Sequence, residues 1–334
     1  MKISLEKVLP LLPPFALRYF GGTNLQWWSK RNYAQEIRHF FMWLLGGEIK
    51  HRGIVKTFDG VEEFKGISVE KFTVEHLNKI SNARMEEYMS SIRMTKGPHT
   101  LIRRIATLRS FFKYFHIRGE LVGNVTMLIE IPKPPDKPIV TMTKQEAMSL
   151  FSVQPEKCIK NVQRNRTILL CLLETGIRVS ELVGLNMGDI CLEHKNFVVT
   201  RKGGNKEMLF MNKSLSQMMY GYIKTRLPAG ENEPLFISNK KVRITIKAVQ
   251  DIVAKYRNAA NITKHITPHK LRSTFGTALY ETTRDIYMVA ACLGHSDVNT
   301  TRKHYARVSD GLKREAMRKF KMVTLDLGTE LDKE

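Results

Sequence analysis

The side chains able to do chemistry are Arg178 in TGIRVSEL, Lys202 in TRKGGNKEM, His269 and Arg272 in TPHKLRST, His295 in LGHSD, and Tyr305 in RKHY. His269 and Arg272 stand at i and i+3, so one helix presents both on the same face. Pro268 opens that helix and leaves free backbone N–H groups, with the positive dipole end, beside them. A histidine, an arginine and a helix N-terminus make a cradle for a phosphate-like anion. Arg178 sits just past Gly176 between the apolar Ile177 and Val179, a packed turn that would hold its guanidinium. His295 follows Leu293-Gly294 at a helix end, and Tyr305 is the only tyrosine beyond it. Together these residues read as an anion cage with a nucleophile at its side.

The anion is expected to be a DNA phosphodiester, because the whole chain is basic. Its 334 residues carry 54 Lys and Arg against 32 Asp and Glu, a formal charge of +22. Such an excess fits a polyanion partner, whose condensed counterions are released when cations neutralise phosphates. The stretch from Thr95 to Gly119 holds no acidic residue, and its Lys96, Arg103, Arg104, Arg109 and Lys113 are predicted to stay outside and meet phosphates. Lys133 and Lys137 add a basic strap, and Lys206 a further phosphate contact. Cys158, Cys171, Cys191 and Cys292 show no Cys-x-x-Cys spacing, so reduced thiols are expected rather than disulfides or zinc. The lead MKISLEKVLPLLPP is too short in apolar length for a secretory signal, and no run reaches membrane-spanning length. The expectation is a soluble, cytoplasmic protein.

The elements that must position the cage follow from periodicity. Tyr33, Ile37, Phe40, Phe41 and Leu44 mark one face of a helix over 24–45, with Lys30, Arg31 and Arg38 off that face. Thr73 caps a second helix, with Val74, Leu77, Ile80, Met85 and Met89 as its apolar content. A third, over 99–118, turns Leu101, Ile105, Leu108, Phe111, Phe112 and Phe115 inward. Pro132, Pro134, Pro135 and Pro138 then keep the chain extended. This pattern predicts a helical DNA-binding domain over 1–130, an extended basic linker over 131–142, and a second domain over 143–334 opened by a helix capped at Thr143. In the second domain a helix over 165–175 ends near Gly176, and another begins at Ser180. FVVT, the turn Lys202-Gly203-Gly204-Asn205 and the run from Met208 to Met211 form a hairpin. Further helices are predicted over 246–260, 268–282, 285–293 and 298–305. The fold class is mainly α with a small antiparallel β-sheet.

The ordered set Arg, hairpin Lys, His-x-x-Arg, Gly-His, Tyr resembles the signature of the tyrosine recombinases. TGIRVSELVGL, TRKGGNKEM, TPHKLRSTFGTALY and LGHSDVNTTRKHY carry the likeness from about Thr143 to Arg307. PLLPPFALRYF and YAQEIRHFFMWLL look more specifically like Xer-type site-specific recombinases of the XerS kind. The resemblance implies a two-domain, C-shaped clamp on double-stranded DNA at a specific recombination site. It implies a tetramer in the synaptic complex, strand exchange through a Holliday junction, and an accessory protein that controls that exchange. Arg178 and Arg272 would hold the non-bridging phosphate oxygens, and Tyr305 would attack phosphorus to give a 3′-phosphotyrosyl link. Lys202 would protonate the leaving 5′ oxygen, His269 would accept the tyrosine proton, and His295 would hydrogen-bond the phosphate. Glu181 would orient its neighbours. Bond energy stays in the phosphotyrosine, so no metal or other cofactor is implied. Lys206 rivals Lys202, and the Lys-Gly order puts Lys202 first. Apolar residues in the tail over 310–334, among them Leu312 and Phe320, would dock on a neighbouring protomer. The resemblance leaves open chromosome-dimer resolution or integration and excision of a mobile element. The alternatives are type IB topoisomerase-like relaxation and DNA binding without catalysis.

Overall fold

The protein is seen in a computed structural model that describes residues 4–45, 49–51, 54–56, 61–64, 67–132, 139–155, 161–201, 203–226, 229–295, 297–299 and 301. The chain divides into two compact units, Met1–Lys137 and Pro138–Glu334. No helix among the described residues is long and apolar enough to cross a membrane.

The first unit is built from helices α1 (Leu5–Val8), α2 (Leu17–Gly21), α3 (Trp27–Leu45), α4 (Val74–Asn78), α5 (Asn82–Thr95) and α6 (Pro98–Ile117). In α3, Ile37, Phe40, Phe41 and Leu44 are fully buried, at the spacing of one helix face. They meet Phe111, Phe112 and Phe115 of α6 in one aromatic core, with Phe41 and Phe111 edge to face at 6.1 Å between centroids. Arg31 is buried, although the sequence puts it off the apolar face, and its guanidinium lies over the Trp28 ring. The helix capped at Thr73 ends at Asn78, and Ser81 caps a new one whose side chain accepts from the Arg84 N–H. A short antiparallel hairpin, β1 (Ile49–His51) with β2 (Ile54–Lys56), adds strand to a half expected to be helical throughout.

The second unit begins with α7 (Lys144–Ser152), where Thr143 and Glu146 form a capping box. Lys264 then ties this helix start down, donating to Glu146 Oε2 at 2.8 Å and to the Thr141 carbonyl at 3.1 Å. It continues with α8 (Val162–Thr175), α9 (Val179–Gly184), α10 (Lys213–Lys224), α11 (Ile246–Ala259), α12 (Pro268–Thr283) and α13 (Ile286–Leu293). A three-stranded antiparallel sheet, β3 (Ile190–Cys191), β4 (Asn196–Thr200) and β5 (Lys206–Phe210), sits between α9 and α10 in the chain. Phe197 of β4 pairs with Leu209 of β5, and Val199 with Glu207. Helix α10 is absent from the sequence reading, although Leu215, Met219 and Tyr222 recur at helical spacing and all are buried. Residues 300 and 302–305 of the predicted last helix lie outside the described residues.

Candidate active site

Two glycines bring the cage together. Gly176 ends α8 in the left-handed conformation at φ 61°, and only Ile177 and Arg178 separate it from α9. A Cβ there would lie 2.4 Å from a Phe275 ring carbon and 2.9 Å from Leu293 Cδ2, so α8, α12 and α13 pack against bare backbone. Gly294 ends α13 the same way at φ 59°, with the His295 N–H bonded back to the Ala290 carbonyl. His295 is thereby turned out of the helix at a fixed angle. Its Nδ1 lies 2.7 Å from the hydroxyl of the fully buried Thr301, which fixes the ring plane.

On α12, Thr267 caps the helix, Pro268 follows it, and His269 and Arg272 share a face. His269 is exposed, whereas Arg272 is only 5% exposed and donates to the Gly176 carbonyl at 2.6 Å and to the Leu293 carbonyl. Arg178 donates to Glu181 Oε1 at 2.8 Å and to the Gly294 carbonyl at 3.2 Å, and its own N–H meets Glu181 Oε2 at 2.8 Å. Arg178, His269, Arg272 and His295 line one cleft of about 1030 Å³, joined by Arg201, Glu207 and Asp297. Guanidiniums held on helix-end carbonyls and a carboxylate are pre-aimed, so an oxyanion arriving in the cleft costs little reorganisation. Among the described residues, no three His, Cys, Asp or Glu side chains converge as a metal site.

Lys202 and Tyr305 lie outside the described residues, as do Lys133 and Lys137. Lys206 is exposed at the start of β5, and Lys96 and Lys113 are exposed in the first unit. Arg103 is half exposed and places one arm on Glu36 Oε1 at 2.5 Å. Arg104 and Arg109 correct the expectation that the whole basic row of α6 faces outward. Arg104 is 11% exposed and pairs with the buried Glu36 at 2.6 Å. Arg109 donates to the carbonyls of Thr126 and Ile129. Arg104 stands at i+3 from Leu101 and i−4 from Leu108, and Arg109 at i+4 from Ile105 and i−3 from Phe112. That spacing puts both on the apolar stripe, where a guanidinium needs internal acceptors.

Arg201 is a cleft residue that the motif reading leaves without a role. It continues the alternation of Phe197 and Val199, both buried, on the core-facing side of the sheet. There it meets Glu207 through two hydrogen bonds of 2.8 and 3.0 Å, and Glu181 Oε2 at 2.8 Å. Burial opposes its charge, but the bonds to Glu207 and the charges of Glu181 and Glu207 outweigh this and hold its pKa above the usual guanidinium value.

Gly176→Ala is expected to cost roughly 2–4 kcal/mol, from left-handed strain together with overpacking against Phe275 and Leu293. Thermal unfolding checks this, and a parental Tm would contradict the packing described.

The pattern of the Phage integrase family matches residues 141–311. The chain is 30% identical over 323 residues to Tyrosine recombinase XerC of Caldanaerobacter subterraneus subsp. tengcongensis, covering 94% of this chain and 87% of that one. The fold resembles that of XerH site-specific recombinase bound to a palindromic difH substrate in a post-cleavage complex, with TM-score 0.68, 18% identity, and 88% and 80% of the two chains covered. It also resembles the Tn1549 transposon integrase in complex with circular-intermediate DNA, with TM-score 0.67, 18% identity, and 93% and 98% covered. The chain belongs to the phage integrase family, the tyrosine recombinases, and is an enzyme of site-specific recombination that cuts and rejoins DNA.

Proposed function

We propose that the cleft holds a scissile phosphate of double-stranded DNA at a specific recombination site. Arg178 and Arg272 clamp its non-bridging oxygens and offset the charge that grows in the transition state. Tyr305 attacks phosphorus, forming a 3′-phosphotyrosine while the P–O5′ bond breaks. His269 takes the phenolic proton, Lys202 delivers a proton to the departing 5′ oxygen, and His295 hydrogen-bonds the phosphate. Glu181 orients Arg178. The observation that carries this reading is the convergence of Arg178, His269, Arg272 and His295, from separate stretches of sequence, on one cleft. With the charge supplied by guanidiniums, the chemistry asks for no metal.

The residues 1–130 act as the helical DNA-binding domain and 143–334 as the catalytic one, joined by the basic linker over 131–142, and each contacts the duplex. Lys96, Arg103, Lys113, Lys133, Lys137 and Lys206 contact phosphates. Four protomers assemble on paired sites in the cytoplasm, with the tail over 310–334 between neighbours and an accessory protein governing the order of strand exchange. The biological role is chromosome-dimer resolution or the integration and excision of a mobile element. Mapping covalent cleavage sites on genomic DNA separates them: one chromosomal locus marks the former, the ends of a mobile element the latter.

The chemistry is tested with a suicide substrate nicked near the cut. The protein is expected to become trapped on the DNA in excess EDTA at its full rate. Binding is expected to weaken with salt at a log–log slope of about −0.9 per phosphate contacted. Cutting that stops in EDTA and returns with magnesium would overturn the proposal.

A further inference from the structure

The three arginines of the cleft divide the end of α13 among themselves. Arg201 donates to the Cys292 carbonyl at 3.3 Å, Arg272 to that of Leu293, and Arg178 to that of Gly294 at 3.2 Å. These carbonyls are the unsatisfied, negative end of the helix. Arg201 also lies flat on the backbone of Gly294, since a Cβ there would be 2.6 Å from its Nε and 2.7 Å from its Cζ. Arg201 and Arg178 are linked a second time through Glu181, whose side chain is 3% exposed and whose two oxygens take one guanidinium each. Glu207 grips Arg201 from β5, so the guanidinium has no room to turn.

We infer that Arg201 is a positioning residue for Arg178: it fixes Glu181 and the turn at Gly294, and so aims the Arg178 guanidinium at the phosphate. A buried carboxylate with Arg178 as its only cation would follow that side chain and draw it inward. Held by Arg201 on Oε2, Glu181 keeps one rotamer and shares its charge, leaving the outer face of Arg178 for the substrate. This rests on the proposal that Arg178 meets a non-bridging phosphate oxygen.

The full chain is tested in single-turnover trapping at saturating DNA, on three nicked substrates. One carries an ordinary phosphate. One carries a methylphosphonate, in which a methyl group replaces a charged non-bridging oxygen and lowers the demand for a cation. One carries a 5′-bridging sulfur, which leaves without a proton. Arg201→Met is expected to slow trapping on phosphate by about 100-fold, the scale of losing one aimed transition-state donor, with DNA affinity within about 3-fold of parental. On methylphosphonate its defect is expected to shrink to under about 10-fold, in parallel with that of Arg178→Ala, while sulfur leaves both defects in place. Arg201→Lys is expected to recover only part of the rate, because one ammonium cannot grip two carboxylates and a carbonyl. An Arg201→Met defect that persists on methylphosphonate, or that sulfur removes, overturns the inference; the latter would place the effect on Lys202, the next residue in the chain. An Arg178→Ala defect untouched by methylphosphonate overturns the clamp reading and the inference with it. Should Arg201→Met fail to fold, Glu207→Gln, altered at the more exposed end of the bridge, is expected to show a smaller loss with the same relief on methylphosphonate. Parental rates for that variant on all three substrates would overturn the inference.

Discussion

Tyr305→Phe is expected to bind its DNA site as the parent does and to form no covalent complex with a nicked suicide substrate. Phenylalanine keeps the ring and every positive charge, so the phosphate contacts that dominate affinity remain. What it lacks is the oxygen that must become the new ester to phosphorus. Gel separation of the denatured adduct measures the chemistry, and a binding titration at fixed salt measures affinity. The alternatives are confined to tyrosines before His295. Tyr280 belongs to α12, and Tyr287, 72% exposed, belongs to α13. An adduct that persists in Tyr305→Phe would reject the nucleophile assignment and move the search to those two.

Arg272→Ala is expected to lower the trapping rate by about 10³-fold or more, the scale for an arginine on a phosphoryl transition state. The loss should be the same on an ordinary 5′ oxygen and on bridging sulfur, because the charge it meets sits on the non-bridging oxygens. Lys202→Ala should cut slowly on the ordinary strand and recover most of its rate on the sulfur strand, since a thiolate departs without a proton. Lys206→Ala should lose affinity and keep near-normal chemistry at saturation. Sulfur rescue of Lys206→Ala but not of Lys202→Ala would exchange the two roles. Rescue of Arg272→Ala would contradict its place in the clamp. Removing Arg272 also strips the Gly176 and Leu293 carbonyls of a donor, at about 1–3 kcal/mol each where water cannot enter. Arg272→Lys, which keeps the charge but loses the planar fork, separates the two costs: restored stability with depressed cutting is the expected pattern.

What the sequence determined by itself was local and ordered. Helical periodicity marked α3 and α6, and the capping chemistry of Thr143 and the proline at Pro268 set where α7 and α12 begin, because these depend on residues within one or two turns. Gly176 and Gly294 foretold helix ends for the same reason. The candidate cage was legible as a set of residue types in order, which fixed the family but no distances. Tertiary structure alone decided which cations face the cleft and which are spent inside. Arg104 and Arg109 read as outward charges until Glu36 of α3 and the carbonyls of Thr126 and Ile129 supply their partners. Arg201 carried no role in the sequence pattern; only the meeting of β4 with α9 and the end of α13 brings Glu181 and the Cys292 carbonyl to it. The His295–Thr301 bond lies close in sequence, yet it needs the left-handed exit at Gly294 to form. A guanidinium's role depends on which acceptors lie within about 3 Å of it, and acceptors from distant stretches of chain are assembled by packing rather than by spacing along the sequence.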